Sequence, residues 1–304
     1  MILTVTPNPA VDQTIEMDDA LAADAVQRSS EARFDAGGNG INVSQFVRAL
    51  GDETLATGIV GGFTGYFIEQ NLKHFGVPTD FCKTDTEPTR MNTTILTPEA
   101  EYHLNQTGPT VGEAAVDDLI DVLQKHDPSI VDIGGSLPPG MDDSAVDRIA
   151  AAGDWDTAID VHGDLLPNLE ETYEYCKPNE IELEEATGIE INDIDDCAEA
   201  ARELQEWGFE RVIASMGGDG AMMVTPEETL YAPALDVDVV DTVGAGDSMF
   251  AAVLWAFEQG WDDEDALRAG VAMSSKIVGI TGTSIDEVDI SERMDGVRVW
   301  TLKS

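Results

Sequence analysis

The sequence predicts a doubly wound α/β layer carrying a small β flap. Short β-branched or apolar runs alternate with longer segments of helical period, the pattern of a parallel sheet covered by helices on both faces. Two stretches, 12–34 and 79–108, interrupt that alternation with strand-like runs and no helix between them. The chain's 304 residues, 42% hydrophobic with 28 glycines, are ample for one large core and an appendage.

Taken in order, residues 2–5 read as a buried first strand. The run 41–50 follows a glycine cluster and repeats apolar residues at helical spacing; 55–59 is the next strand. Residues 129–133, 157–160 and 211–215 have the same strand character, and helices are expected at 114–125, 144–152, 194–207, 246–259 and 263–277. The core is therefore assigned to 1–11, 35–78 and 109–304. The flap takes 12–34 and 79–108, the second with its TRMNTTIL and EYHLNQT runs, and is expected to be antiparallel. In open α/β sheets ligands bind beyond the carboxyl ends of the strands, where such a lid covers them and excludes water.

Charge narrows the partners. Sixteen Lys and Arg stand against 60 Asp and Glu, a net charge of −44. That field repels nucleic-acid phosphates and anionic lipid, so neither is an expected partner. The acids are spread along the whole chain, which points to an acidic surface everywhere and to a salt-rich cytoplasm that screens it. Cys82, Cys176 and Cys197 lie far apart without C-x-x-C spacing, as in a reducing compartment. The longest apolar run, 249–257, is far short of the ~20 residues that cross a bilayer. The opening MILTVTPNPAVDQT lacks the basic start of a signal peptide, so a cytoplasmic protein is expected. His74, His103, His126 and His162 show no metal spacing.

The sharpest motif is DTVGAGDS at 241–248, followed at once by an apolar helix. Gly244, Ala245 and Gly246 put small residues where a backbone must approach a ligand, and the opening helix aims free N–H groups and its positive end at one point. Asp247 falls in the first helical turn, where its carboxylate can accept a proton from an attacking hydroxyl. A plain helix cap fits the same local pattern. No lysine follows a glycine anywhere, which excludes a Walker-type loop, and Gly244-Ala-Gly246 does not continue to the third glycine of a dinucleotide fingerprint.

AGGNGINVS at 36–44 together with DTVGAGDS resembles the two signatures of the ribokinase-like, PfkB-type carbohydrate kinases, and the likeness covers essentially the full chain. TPNPAVDQT at 6–14, TRMN at 89–92 and GSLPPG at 135–140 look most like the branch acting on sugar phosphates, the 1-phosphofructokinases and tagatose-6-phosphate kinases. The resemblance implies transfer of the ATP γ-phosphoryl group, with Mg²⁺, to a sugar-phosphate hydroxyl, foremost that of fructose 1-phosphate. Tagatose 6-phosphate, fructose 6-phosphate or another sugar is the alternative acceptor, and a sugar-phosphate sensor without turnover is the alternative class. By this resemblance Asp247 is the catalytic base and Gly244–Gly246 the anion hole. Asp12, Gly37, Gly38 and Asn42 contact the sugar, while Arg90 and Ser136 grip its phosphate. Lys177 and Asn179 serve the nucleotide phosphates, and Glu182 acts on magnesium through water. Ser215, Gly217 and Gly220 form a nucleotide loop, with Lys276 and the Gly282-Thr283 segment on the adenine side. Without the resemblance, Arg90 reads more readily as the partner of a neighbouring acid, and Glu182 as a solvated helix residue. Asn39 departs from the GGKGIN common in this branch, which removes a phosphate-binding cation. A homodimer through the flap strands completes the expectation.

Overall fold

The computed structural model describes residues 1–85, 87–280, 285 and 287–302. The chain opens with β1 (Ile2–Thr6), β2 (Ala10–Glu16) and β3 (Glu31–Gly37), then winds through α1 (Asn39–Ala49), β4 (Thr54–Gly61) and α2 (Gly62–His74). Three strands follow: β5 (Cys82–Thr84), β6 (Arg90–Leu96) and β7 (Glu101–Leu104). The alternation resumes with α3 (Glu113–His126), β8 (Ile130–Gly134), α4 (Asp143–Ala150), β9 (Asp156–Asp160) and β10 (Tyr173–Cys176). Next come α5 (Glu180–Thr187), α6 (Ile194–Glu206), β11 (Phe209–Ser215), β12 (Ala221–Val224) and β13 (Thr229–Ala232). The chain closes with α7 (Ala245–Glu258), α8 (Asp263–Ile277), α9 (Ser291–Met294) and β14 (Trp300–Leu302).

Ten of these strands form one sheet in the order β14-β13-β12-β11-β10-β9-β8-β1-β4-β5. From β11 to β5 every pairing is parallel, and β12, β13 and β14 extend the other edge antiparallel. Helices cover both faces, so β1 and β4 are buried along their whole length. The pleat divides their side chains between two cores. Leu3, Val131 and Ile159 pack with Leu119, Ile149 and Leu204 on one face; Ile2, Ala158 and Ile213 pack with Phe46, Phe250 and Leu267 on the other. No helix among the described residues is long and apolar enough to cross a membrane. The chain has the expected doubly wound α/β architecture.

The remaining strands form a separate sheet, β3-β2-β6-β7. Its central pair, β2 with β6, is parallel from Ala10 opposite Arg90 to Glu16 opposite Leu96, not antiparallel as expected. Both strands leave the large sheet in the same direction, each after a short loop, and so run side by side. Within the 79–108 stretch, β5 pairs with β4 in the large sheet. Three helices escape the sequence pattern: α2, α5 and the single-turn α9. In α2, Gly62 and Gly65 dilute helix propensity, and Gly65 is needed because a Cβ there would press on Val60. In α5 only Leu183 is buried, so there is no apolar stripe to read; a reciprocal cap between Asn179 and Glu182 marks its start instead.

Candidate active site

Gly244 takes the left-handed conformation (φ 74°) that turns the chain into α7. The apolar body of α7 is buried from Ser248 to Leu254, which anchors the helix and fixes where its amino end points. The opening amides of any helix have no intrahelical acceptor, so Gly246 and Asp247 present main-chain donors at this end. Asp247 is half-buried, and its Oδ2 accepts a 2.7 Å hydrogen bond from Asn42 Nδ2 on α1. Beside it, the buried Lys177 places Nζ 2.9 Å from Asp160 Oδ1 at the end of β9. The other oxygen of Asp160 accepts from Asn39 Nδ2 at 3.0 Å. A Cβ on Gly246 would stand 3.6 Å from Lys177 Nζ, so the glycine keeps that approach open.

These neighbours set the charge states. Burial, then the facing Asp160, pushes the Asp247 carboxyl up to about 6 against the opposing pull of Lys177 and Asn42. A carboxylate tuned towards neutrality is suited to accept a proton. Burial works against the charge on Lys177, but Asp160, Asp247 and Glu182 together outweigh it and hold its pKa above the ordinary lysine value. The result is one firm cation next to the helix amides, inside a strongly acidic protein.

Asn42 joins Asp247 to the segment, Gly37 and Gly38 included, that carries residues expected to contact sugar. Asp12 on β2 accepts a 3.0 Å bond from Asn92 Nδ2 on β6, its strand partner, and burial raises its pKa. A Cβ at Gly37 would overlap the Asp12 carboxylate, so a side chain there would displace it. Gly38 (φ 126°) caps α1, and Asn42 on the first turn reaches Asp247. Arg90 Nε donates to Asn8 O at 3.1 Å and its Nη1 to Gln106 O at 3.4 Å. Its guanidinium makes no ion pair with a carboxylate among the described residues. Ser136 Oγ lies 3.3 Å from Asn8 Nδ2.

A cavity of about 590 Å³ has a lining that includes Ser215, Gly217, Gly220, Ala245 and Gly246, with Met249 and Val271 as apolar walls. Ser215 N donates to Pro178 O at 3.0 Å, which ties this loop to the start of α5. There Asn179 Oδ1 caps Glu182 N, and Glu182 Oε2 accepts from Asn179 N, both at 2.9 Å. Burial raises the Glu182 pKa, with Lys177 opposing. Lys276 is not brought to this cavity. It sits in the last turn of α8, its Nζ donating to Asp289 O at 2.7 Å, while Ser275 and Val278 on either side of it line the wall. Gly282 and Thr283 lie outside the described residues.

Several members of this site escape the sequence reading. Asp160 ends an expected strand, but nothing local separates it from the other acids. Asn92 and Asn8 lie inside recognised runs and emerge only through the partners the fold gives them. Asp132 on β8 is fully buried on the face that carries Asp160 and Lys177, and neither of its oxygens has a hydrogen-bond partner.

Residues 6–290 match the model of the pfkB family of carbohydrate kinases. The chain is 48% identical to a 1-phosphofructokinase of Haloferax volcanii over 305 residues, covering 100% of both. It is 34% identical to a D-tagatose-1-phosphate kinase of Bacillus licheniformis over 284 residues, 90% of this chain and 91% of that one. Among solved structures, phosphofructokinase-2 of Escherichia coli in complex with potassium superposes with a TM-score of 0.88 at 26% identity, covering 97% of this chain and 98% of that one. With this fold and full-length likeness, the chain belongs to the pfkB family of carbohydrate kinases and is a phosphotransferase.

Proposed function

We propose that this protein phosphorylates fructose 1-phosphate on its C6 hydroxyl with ATP, giving fructose 1,6-bisphosphate and ADP. The observation that carries the reading is the place of Asp247, next in the chain to Gly246 of a nucleotide-sized cavity and hydrogen-bonded to Asn42 on the helix that follows Gly37 and Gly38. The relative of 48% identity supports the choice of sugar.

In this reading Asp12, Asn42 and the bare backbone at Gly37 and Gly38 hold the sugar hydroxyls, and Arg90 with Ser136 holds the 1-phosphate. A guanidinium left without a carboxylate partner is matched to a bidentate anion. Asp247 accepts the C6 hydroxyl proton as that oxygen attacks the γ-phosphorus in line, and the bond to the bridging oxygen of ADP breaks. The amides at Gly244 and Gly246 and the Lys177 ammonium meet the charge on the transferring group, while the Ala245 amide is taken by Thr242 O at 3.2 Å. Ser215, Gly217 and Gly220 line the nucleotide's place. Among the described residues no three acidic, histidine or cysteine side chains gather to hold a metal directly. A magnesium ion carried by the nucleotide would be held through water, with Glu182 and Asn179 as the candidate side chains. When bound, it neutralises phosphate charge.

The four-stranded sheet is the lid in this reading. Its Phe34 and Leu104 remain 44% and 58% exposed, so a second copy is expected to cover them, and sedimentation of the purified protein reads that directly. Three free cysteines suit a cytoplasmic setting.

An acceptor panel with purified protein and Mg-ATP tests the function: fructose 1-phosphate, fructose 6-phosphate, tagatose 1-phosphate, tagatose 6-phosphate and fructose. Fructose 1-phosphate should show the highest kcat/KM. Preference for the unphosphorylated sugar would remove the phosphate subsite from the account, and binding of both ligands without ADP release would make the protein a sensor.

A further inference from the structure

The residues assigned above to the sugar's phosphate come from separate parts of the chain. Arg90 opens β6 and Ser136 follows β8; neither segment fixes the other. Both meet at Asn8, in the turn between β1 and β2, a residue only 3% exposed. The Asn8 main-chain carbonyl receives Arg90 Nε at 3.1 Å. Its side-chain amide donates to Thr107 O at 3.0 Å and to Ser136 Oγ at 3.3 Å. The Thr107 bond holds down the segment whose Gln106 carbonyl takes the Arg90 Nη1, so the side chain also acts on the arginine from behind. Gly108 (φ +90°) is required by this packing, because a Cβ there would overlap Asn8 Oδ1.

The direction of these bonds matters. Thr107 O can only accept, so the amide nitrogen must face it, and Oδ1 points away, buried and without a partner. Ser136 Oγ, accepting from the amide, keeps its own hydrogen for another acceptor. An anion in front of it supplies that acceptor.

We propose that Asn8 is the positioning residue of the sugar-phosphate subsite, turning the Ser136 hydroxyl into an outward donor and holding the Arg90 fork in place. The proposal rests on the assignment of Arg90 and Ser136 to the sugar's phosphate. Asn8→Asp keeps the shape but reverses the hydrogen bond: the carboxylate accepts from the Ser136 hydroxyl, repels Thr107 O and adds negative charge behind the phosphate. Asn8→Ala only removes the link.

The test measures KM for fructose 1-phosphate, KM for ATP and kcat in Asn8→Ala, Asn8→Asp, Arg90→Ala and the Asn8→Ala/Arg90→Ala double variant. Thermal melts identify variants that fail to fold; Asn8→Ser, which retains a donor, replaces any Asn8 variant lost that way. We expect Asn8→Ala to raise the sugar-phosphate KM about tenfold, and Asn8→Asp more, with the ATP KM within about twofold of the parent. In the double variant the Asn8 change should add less than about threefold to the Arg90 change. Full multiplication of the two effects, or an Asn8→Asp no worse than Asn8→Ala, overturns the positioning role alone. An Arg90→Ala enzyme with an unchanged sugar-phosphate KM overturns the phosphate assignment, and Asn8's role with it.

Discussion

At the scale of single residues, the proposed mechanism requires Asp247 to be ionised when the sugar arrives. Its carboxyl is raised to about 6, first by burial and then by Asp160, with Lys177 and the Asn42 amide pulling the other way. The form that accepts a proton is the deprotonated one, so activity should be full above that value and fall away below it. The expected kcat/KM profile therefore has an acid limb near pH 6, distinctly above the ordinary carboxylate range. Asp247→Asn removes the acceptor while keeping the Asn42 neighbour and the helix amides. It should lower kcat by about 10³-fold or more and abolish the acid limb, while both ligands still bind. A variant that retains the limb would assign the titration to another group. A variant with near-parental kcat would show that Asp247 is not the base. Lys177 belongs to the same balance: Asp160 helps to keep its charge and raises the Asp247 carboxyl, so the cation and the acid share one carboxylate neighbour.

At the scale of elements, the parallel strands deliver these groups at their carboxyl ends, and β8 carries one that the proposed chemistry does not use. Asp132 lies opposite Thr4 of β1 and Ala158 of β9; the Thr4 hydroxyl is already bonded to Ser44 at 2.6 Å. Burial, then Asp160 and Asp247, holds its pKa well above the usual carboxylate value, with Lys177 opposing. Below the ordinary carboxylate range Asp132 is neutral folded or unfolded and adds no pH dependence. As pH rises the unfolded chain ionises first, so folding loses stability until the folded pKa is passed. Asp132→Asn has nearly the same shape and cannot ionise. Its unfolding free energy relative to the parent should therefore climb as pH is raised above about 4, by about 1.4 kcal/mol for each unit separating the two pKa values. Parallel curves in urea across that range would mean that the folded protein leaves Asp132 with an ordinary pKa. This is also where the legibility of the sequence runs out. The helix after DTVGAGDS and the strand ending at Asp160 are local patterns, and both were readable. The parallel β2–β6 pairing, the Asp160–Lys177 ion pair and the Asn8–Ser136 bond are long-range, and no spacing along the chain encodes them. Lys276 shows the converse: a lysine near a motif is not thereby a cavity-lining residue, and its ammonium donates to the Asp289 carbonyl.

At the scale of the whole molecule, a net charge of −44 must be reconciled with a compact fold and two anionic substrates. Local pairing cannot do it, since the cations are few and many are already engaged. Arg211 is held by Glu174 and Asp263, Arg268 by Glu264 and Asp265, and Lys125 by Asp80. Most of the acids therefore face solvent without a countercharge, and their mutual repulsion favours any state that separates them. Dissolved salt is the remaining remedy: the screening length falls from about 10 Å at 0.1 M to about 3 Å at 1 M, below the spacing of many surface charges. The melting temperature should accordingly rise by at least about 10 °C between about 0.1 M and 2 M KCl, and most of the gain should come early, as the screening length shortens fastest. An uncharged osmolyte such as sucrose at matched osmolality separates screening from general exclusion of solute, because it leaves the repulsion intact and should reproduce only a small part of the rise. Equal melting temperatures at the two salt concentrations, or an equal rise in sucrose, would show that repulsion between surface acids does not limit this fold.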